Sequence, residues 1–234
     1  MQLSVKDAAT IFNVSEKQIY QWIKQEEIPF HNINDQFRLN RAELMEWATR
    51  RGIEVSADLF RETESTGFPL PTFSDALNAG GVAFKVGGVD RKSVFKSIVA
   101  VMKLPEEIDR DFLFEVLLAR ETLGSTGIGD GIAIPHVRNP VVLHVAEPRV
   151  VLCFLENPID FSAIDGKPVD TLFTLISPSV RVHLHLLSRL GFILRDPEFK
   201  AALKKKASKE ELMKNLLRAE KAIPASKDEK NGSK

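Results

Sequence analysis

A run of six apolar residues, VVLCFL at positions 150–155, constrains the fold of this 234-residue chain more than any other feature. The run is far shorter than the ~20 apolar residues of a membrane span, and no other stretch approaches that length, so we expect no membrane insertion. A continuous apolar run of this kind is typical of a strand that is covered on both faces of its sheet. Residues 171–176 (TLFTLI) have the same character. We therefore predict a sheet with helices on both sides.

Strand and helix patterns alternate around these two runs from position 73 onward. Residues 82–86 alternate as a strand does, and Asp90 and Asp109 stand where they can cap helices. Their helices would bury Val94, Phe95, Ile98, Val99 and Met102 in the first case and Phe112, Leu113, Val116 and Leu117 in the second. Three more helices are predicted near 179–194, 197–204 and 209–220. The predicted fold class is α/β (α+β), with helices packed on a central sheet.

The first fifty residues have a different pattern, that of short helices joined by tight turns. Ser4 and Ser15 each begin a capping-type sequence ahead of a short apolar face. Two short helices with a tight turn between them form a helix-turn-helix. Residues 30–33 and 36–39 would then pair as a small hairpin, or wing, and a third helix follows with Trp47 on its apolar face. We predict a small winged helix-turn-helix domain.

A stretch of weak periodicity separates this domain from the rest of the chain. It ends in Gly67, Pro69 and Pro71, as a linker does, and has room for a short helical turn near 58–61. We expect four segments, namely a helix-turn-helix domain at 1–52, a linker at 53–72, a main domain at 73–222 and a disordered tail at 223–234.

The charge balance excludes some classes of function. Thirty-two basic and 32 acidic residues give a formal net charge of zero, which argues against a protein whose main role is to coat nucleic acid or an anionic membrane. The balance is uneven, because residues 1–56 have a net charge of −1, residues 57–199 of −5 and residues 200–234 of +6. Cys153 is the single cysteine, which excludes an intramolecular disulfide framework. The chain begins without a secretory signal, so we expect a cytoplasmic protein.

The sharpest chemical signal is the segment ARETLGSTGIGDGIAIPHVRNP at 119–140. Its glycines allow close approach of an anion, and Ser125 and Thr126 add hydroxyl donors, so we predict phosphate binding there. No Gly-Lys-Ser/Thr follows the glycines, which excludes a P-loop. His136 follows a proline and has no His or carboxylate partner at metal-ligand spacing, so no metal site is expected. On the residues alone, His136 is either a nucleophile or a structural histidine.

The surrounding sequence bears on that choice. RE..GSTGIG.GIAIPH resembles the active-site segment of phosphotransferase-system EIIA type-2 domains, of the mannitol/fructose and nitrogen-regulatory (PtsN-like) type. Four later segments are also similar to this family: 156–161 (ENPIDF), 163–170 (AIDGKPVD), 182–187 (VHLHLL) and 208–212 (SKEEL). The resemblance spans roughly residues 73–220 and implies a mixed central sheet with helices packed on it.

The resemblance also implies a set of catalytic residues. His136 would accept a phosphoryl group from an HPr- or NPr-type phosphocarrier and pass it to an EIIB domain or a regulatory target protein. Arg120 and His183 would hydrogen-bond the phosphate, and no metal or organic cofactor is needed. His185 lies two residues after His183 on a helix and so faces elsewhere. Val137 departs from the Gly or Ala frequent in the family, and this bulkier, stiffer side chain predicts a narrower choice of partner or a slower transfer.

The first fifty residues resemble the excisionase and MerR-like DNA-binding domains. The resemblance implies that the second helix enters the major groove, with contacts from Lys17, Gln18, Gln21 and Lys24. Arg38 and Arg41, beside the wing, would reach phosphates. The net charge of −1 is unfavourable for DNA binding, so a module that binds protein or assists dimerisation remains the alternative.

The prediction for the whole chain is a regulatory EIIA-like phosphocarrier fused to a helix-turn-helix domain. Phosphorylation of His136 would change partner choice or the output of the N-terminal domain. Two alternatives remain open: a DNA-binding transcriptional regulator whose EIIA-like domain only senses phosphorylation, and a simple sugar-transport EIIA.

Overall fold

The computed structural model describes residues 2–25, 27–33, 36–51, 53, 70–106, 108–137 and 145–223. Most of the expected linker, with its helical turn near 58–61, and residues 224–234 of the expected tail lie outside these ranges. Within the described part of the chain, no helix has both the length and the apolar character that a membrane crossing requires.

The N-terminal part forms the predicted winged helix-turn-helix. Ser4 completes a capping box with Asp7 at the start of the first helix, which ends at Asn13 in the left-handed region (φ 52°). The Ser15 hydroxyl accepts the Gln18 N–H at the start of the second helix. The elements are β1 (Gln2–Leu3), α1 (Val5–Phe12), α2 (Glu16–Lys24), β2 (His31–Ile33), β3 (Gln36–Asn40) and α3 (Arg41–Arg51). β2 and β3 pair antiparallel as the wing, and β1, which the sequence pattern did not indicate, pairs with β3.

An aromatic cluster holds the three helices of this domain together. Trp47 contacts both Phe12 and Trp22, with ring centroids 5.4 and 5.1 Å apart, in edge-on arrangements. Ile19 and Leu44 are almost fully buried beside them. The helix-turn-helix therefore has an apolar core of its own, which is what allows so short a segment to fold.

The main part of the chain is a five-stranded mixed sheet between two layers of helices. Its elements are α4 (Phe73–Gly80), β4 (Gly81–Val86), α5 (Arg91–Val101), α6 (Arg110–Thr122), β5 (Gly127–Gly129), β6 (Ile132–Ala133), β7 (Arg149–Ile159), β8 (Val169–Ile176), α7 (Val180–Ile193), α8 (Pro197–Lys204) and α9 (Lys209–Lys221). The strand order is β4-β7-β8-β6-β5. The pairs β4/β7 and β6/β8 are parallel, whereas β7/β8 and β5/β6 are antiparallel.

The apolar run that dominated the sequence forms the buried centre of this sheet. Val150, Leu152 and Phe154 belong to the apolar cluster shared with α4, α7, α8 and α9. The alternate residues Val151, Cys153 and Leu155 belong to the cluster shared with α5 and α6. The prediction of a strand covered on both faces is confirmed.

The assignment of one residue, Phe112, to the core is wrong. Phe112 was expected to point inward from α6, but 44% of it is exposed. The buried stripe of α6 runs through Leu113, Leu117 and Arg120, and Phe112 lies about 100° around the helix from Leu113. Val116 is half-buried at the edge of the same stripe.

The two parts of the chain touch through the third helix of the N-terminal domain. α3 contacts α7 and also β5. Leu184 of α7 belongs to the apolar cluster of the N-terminal domain rather than to either cluster of the main domain. The contact therefore lies beside the glycine-rich segment at 119–140, which includes β5.

Candidate functional site

His136 lies just after β6, where the main chain continues alongside β8. Its backbone pairs with Leu175 in a parallel bridge, and the Leu175 N–H donates to the Pro135 carbonyl at 3.0 Å. The imidazole Nδ1 is 2.7 Å from the Ile134 carbonyl oxygen. A carbonyl oxygen only accepts, so Nδ1 holds the proton and the ring's lone pair is on Nε2. The backbone thus selects the tautomer of this histidine.

His183 lies in the first turn of α7 and faces His136. Ser179 caps this helix, with its hydroxyl accepting the Val182 N–H at 3.3 Å. The two imidazole rings have centroids 5.0 Å apart and planes inclined at 42°. Only 3% of each histidine is exposed. The predicted pair is therefore brought together, beside the positive end of a 14-residue helix.

Arg120 comes from the last turn of α6 and holds the start of the glycine-rich loop. Its Nη1 donates to the Gly124 carbonyl oxygen at 2.8 Å, and only 7% of the residue is exposed. The far end of the same loop reaches the histidine segment, because the Ile134 N–H donates to the Thr126 carbonyl at 3.0 Å. Arg120 and His136 are thus linked through one short loop.

Glu121 is a site residue to which sequence reasoning gave no role. Its carboxylate accepts the Thr126 N–H at 3.1 Å and the Thr126 hydroxyl at 2.6 Å, and Arg91 Nη1 lies 3.8 Å away. Burial raises the pKa of this carboxyl group, against the opposing effect of those hydrogen bonds. The signal that could have found it is its place directly after Arg120 and before the glycines.

The hydroxyls of Ser125 and Thr126, which were predicted to bind phosphate, form hydrogen bonds within the protein in this structure. The Thr126 hydroxyl donates to Glu121, and the Ser125 hydroxyl donates to the Phe161 carbonyl. Each hydroxyl has one proton to donate, and in this structure both protons go to acceptors of the protein, so phosphate binding by these two residues stays a prediction. They fasten the glycine-rich loop to its neighbours.

The loop between β7 and β8 packs directly against the glycine-rich loop. A Cβ on Gly127 would come within 2.8 Å of Ala163, so no larger residue fits there. The Asp130 N–H donates to Asp165 Oδ2 at 3.0 Å, and Gly129 lies beside it with φ +95°. Segment 163–170, similar to the family in sequence, is thus a structural support of the site.

The isoleucines around the site are mostly core residues. Ile132 and Ile134 are 5% and 2% exposed and belong to the apolar cluster under α7, whereas Ile128 is half-buried. Val137 is 4% exposed and packs on the opposite side of the sheet, in the cluster under α5 and α6. The expectation that Val137 narrows partner choice or slows transfer stays a prediction.

The remaining histidines and the cysteine do not join this site. His185 is buried, and Arg189 Nε donates to its Nε2 at 2.9 Å. His31 pairs with Glu43 at 3.1 Å in the N-terminal domain, and His144 lies outside the described residues. Cys153 is fully buried in β7, and burial raises its pKa to about 12. No group of three or more His, Cys, Asp or Glu in the described ranges could hold a metal ion.

The residues predicted to contact DNA are partly gathered on one surface. Lys17, Gln21 and Lys24 are exposed on α2 at spacings of four and three residues, and so share one face. Gln18 and Arg38 are half-buried, on α2 and β3. The side chain of Arg41 lies outside the described part.

A mixed sheet that presents a histidine pair beside a glycine-rich loop agrees with what the resemblance to phosphotransferase-system EIIA domains implied. Comparison with known proteins identifies the family: the chain belongs to the phosphoenolpyruvate-dependent sugar phosphotransferase system EIIA 2 family, whose model matches residues 76–219. Residues 3–52 match the model of a helix-turn-helix domain.

Its similar relatives include regulatory proteins. The chain is 41% identical over 122 residues to a nitrogen regulatory protein of Pseudomonas aeruginosa. The matched residues cover 50% of this chain and 77% of the relative. It is 37% identical over 150 residues to a nitrogen regulatory protein of Klebsiella oxytoca, covering 62% of this chain and 90% of the relative. The crystal structure of nitrogen regulatory protein IIA-Ntr from Neisseria meningitidis superposes with a TM-score of 0.51 at 31% identity, covering 58% of this chain and 92% of that one.

Proposed function

We propose that this chain is a regulatory EIIA phosphocarrier of the nitrogen-regulatory type and that Nε2 of His136 accepts the phosphoryl group. The observation that carries the assignment is the hydrogen bond from Nδ1 to the Ile134 carbonyl, which leaves the lone pair on Nε2. The similarity to nitrogen regulatory proteins supports the regulatory role. The proposed phosphoryl donor is a histidine phosphocarrier of the HPr or NPr kind, and the acceptor is an EIIB domain or a regulatory target.

The transfer is an exchange between two imidazoles. The lone pair of His136 Nε2 attacks phosphorus, the P–N bond of the donor's phosphohistidine breaks, and the donor nitrogen keeps that electron pair. The Nδ1 proton of His136 stays in place, so the phosphorylated ring carries positive charge that the Ile134 carbonyl stabilises. No proton has to leave the site during the step.

The neighbouring groups act by position and charge. A loose transition state spreads charge over the three equatorial oxygens of the phosphoryl group, so nearby donors stabilise it. His183, 5.0 Å away between ring centroids, and the first turn of α7 supply such donors beside His136. Arg120 contributes positive charge at the glycine-rich loop. Hydrogen bonds of Glu121, Ser125 and Thr126 stabilise the conformation of this loop.

Radiolabelled phosphoenolpyruvate with enzyme I and HPr or NPr tests the proposal. The full chain is expected to take up one acid-labile phosphate, and His136→Ala is expected to take up none. His31→Gln is the matched control, because His31 is an exposed histidine of the other domain. Equal labelling of His136→Ala and the unsubstituted chain would show that the assignment is wrong.

A second function, DNA binding, is favoured by one observation. Lys17, Gln21 and Lys24 stay exposed on α2 although α3 of the same domain is packed against the main domain. We propose that this face contacts the major groove, with the lysines on phosphates and the glutamines on base edges. In that case the EIIA domain serves as the sensor of a DNA-binding regulator in the cytoplasm.

The salt dependence of DNA binding by the full chain tests this second function. Selection from a random duplex library at low salt is expected to yield a preferred sequence, with an affinity that falls as salt increases. A plot of log affinity against log salt concentration has a negative slope. The double variant Lys17→Ala/Lys24→Ala is expected to reduce the magnitude of that slope by about 2. Lys6→Ala, an exposed lysine of α1, is the control. If the full chain binds no duplex at any salt concentration, the proposal of DNA binding is wrong.

A further inference from the structure

The helix-turn-helix domain lies against the two elements that flank His136. On one side of the histidine is the glycine-rich loop with β5, and on the other is the first turn of α7 with His183. α3 contacts both β5 and α7. One helix of the N-terminal domain thus spans the elements on either side of the phosphoryl site.

The contact is apolar and specific to the N-terminal domain. Leu184, the residue after His183, is 2% exposed and belongs to the apolar cluster that contains Leu44, Met45 and Ala48 of α3. Neither apolar cluster of the main domain includes it. An isolated EIIA domain with this sequence would therefore present Leu184 beside its catalytic histidines.

This arrangement conflicts with access by another protein. Phosphoryl transfer requires the donor nitrogen and His136 Nε2 to approach the same phosphorus atom, within about 3–3.5 Å. The structure leaves 3% of His136 and 3% of His183 exposed. A phosphocarrier cannot reach an imidazole that is so enclosed, so an element at the rim of the site has to move. α3 belongs to the N-terminal domain, which the expected linker connects to the main domain, whereas β5 and α7 are parts of the main fold.

We propose that the surface formed by β5 and the first half of α7 is a docking surface with two mutually exclusive occupants, α3 of the same chain and the incoming phosphocarrier. Docked α3 keeps the site closed, and the phosphocarrier competes with it for the apolar surface around Leu184. This inference rests on the proposed phosphorylation of His136.

Phosphorylation would hold the surface open afterwards. A phosphoryl group adds a charge of about −1.5 to −2, and burying an anion that lacks water or full pairing is costly. The phosphorylated chain therefore releases α3. Because coupling is reciprocal, docking of α3 weakens phosphorylation by the same factor by which phosphorylation weakens docking.

Thiol labelling of the full chain tests the docking directly. Leu184→Cys places a thiol in the contact, Leu217→Cys places one at a leucine of α9 that is 44% exposed, and the native Cys153 is fully buried and contributes little labelling. We expect Leu184→Cys to react with a disulfide reagent at least about tenfold more slowly than Leu217→Cys, and to speed up once the chain is phosphorylated. Equal rates for the two cysteines before phosphorylation overturn the docking, whether or not His136 proves to be the phosphoryl acceptor.

The rate at which the chain is phosphorylated provides a second test of the proposal. Leu184→Ala removes the apolar contact and should speed labelling by phospho-HPr or phospho-NPr about tenfold, whereas Leu217→Ala should not change it. Unchanged or slower labelling of Leu184→Ala overturns the competition. Absence of labelling in every variant instead contradicts the proposed function, and the thiol rates of the unphosphorylated chain still decide the docking.

Discussion

At the scale of single residues, the main chain and one buried carboxylate prepare the site. The Ile134 carbonyl fixes the proton of His136 on Nδ1. Glu121 gathers the N–H and the hydroxyl of Thr126, and Thr126 in turn pairs with Ile134 through the main chain. We therefore expect Glu121 to be a positioning residue, whose hydrogen bonds to Thr126 influence His136 through the glycine-rich loop.

Glu121→Ala is expected to lower both stability and phosphoryl uptake. The change leaves the buried N–H and hydroxyl of Thr126 without their acceptor, at a cost of about 1–3 kcal/mol each. Urea denaturation should show this loss, and uptake of phosphate at His136 should slow about tenfold or more. Glu115→Ala, at an exposed position of the same helix, is the control.

Glu121→Gln separates charge from hydrogen bonding. The amide keeps one acceptor oxygen and should restore most of the stability. Because burial raises the pKa of Glu121, the folded state binds this proton more readily than the unfolded state, and its contribution to stability falls as pH rises through the raised pKa. Glu121→Gln should lack that fall, and identical pH profiles for the two chains contradict the assignment.

At the scale of elements, a polar network ties the start of the main domain to its last helix. Glu220 of α9 accepts the N–H groups of Phe73 and Ser74 at 2.5 and 3.1 Å, at the beginning of α4. Arg189 of α7 bridges Glu220 and His185, at 3.4 and 2.9 Å. α7 thus holds His183, whose catalytic role is a prediction, on a helix that Glu220 connects through Arg189 to the start of α4.

His185→Gln is expected to make the protein more resistant to acid. Burial, followed by the charge of Arg189, lowers the pKa of His185 from 6.5 to about 4. The unfolded state binds this proton first as pH falls, so stability present above pH 6.5 is lost between that pH and about 4, by about 3 kcal/mol in all. Denaturation at a series of pH values should show a shallower loss for His185→Gln. An equal loss in the unsubstituted chain and His185→Gln contradicts this account.

At the scale of the whole molecule, the two parts of the chain depend on each other. The formal net charge of zero describes the sum of a slightly acidic N-terminal segment, an acidic centre and a basic end. Long-range electrostatic attraction is therefore weak, and an apolar contact at Leu184 joins the parts instead. The face of α2 that bears Lys17, Gln21 and Lys24 stays exposed in this arrangement, so the proposed competition concerns access to His136 and not this face.

Much of this could be predicted from the chain alone, because the relevant signals are local. Capping residues and apolar periodicity placed α1, α2, α5 and α6, and the continuous run at 150–155 placed the buried strand β7. His136 and His183 stood out because they lie in segments with a strong family resemblance. The domain limits and the catalytic roles remain predictions of that same sequence reasoning.

The rest depends on contacts between residues that are distant in the chain. No local pattern shows that the Ser125 hydroxyl donates to Phe161, or that Val137 packs on the far side of the sheet. The same holds for Leu184, an ordinary apolar helix residue in the sequence, whose partner lies in another domain. The sequence by itself determined the elements and the candidate nucleophile, since propensity, capping and motif are local properties. Only the tertiary structure decided which hydroxyls are already engaged and how little of the two histidines is exposed, since burial is a property of the folded whole.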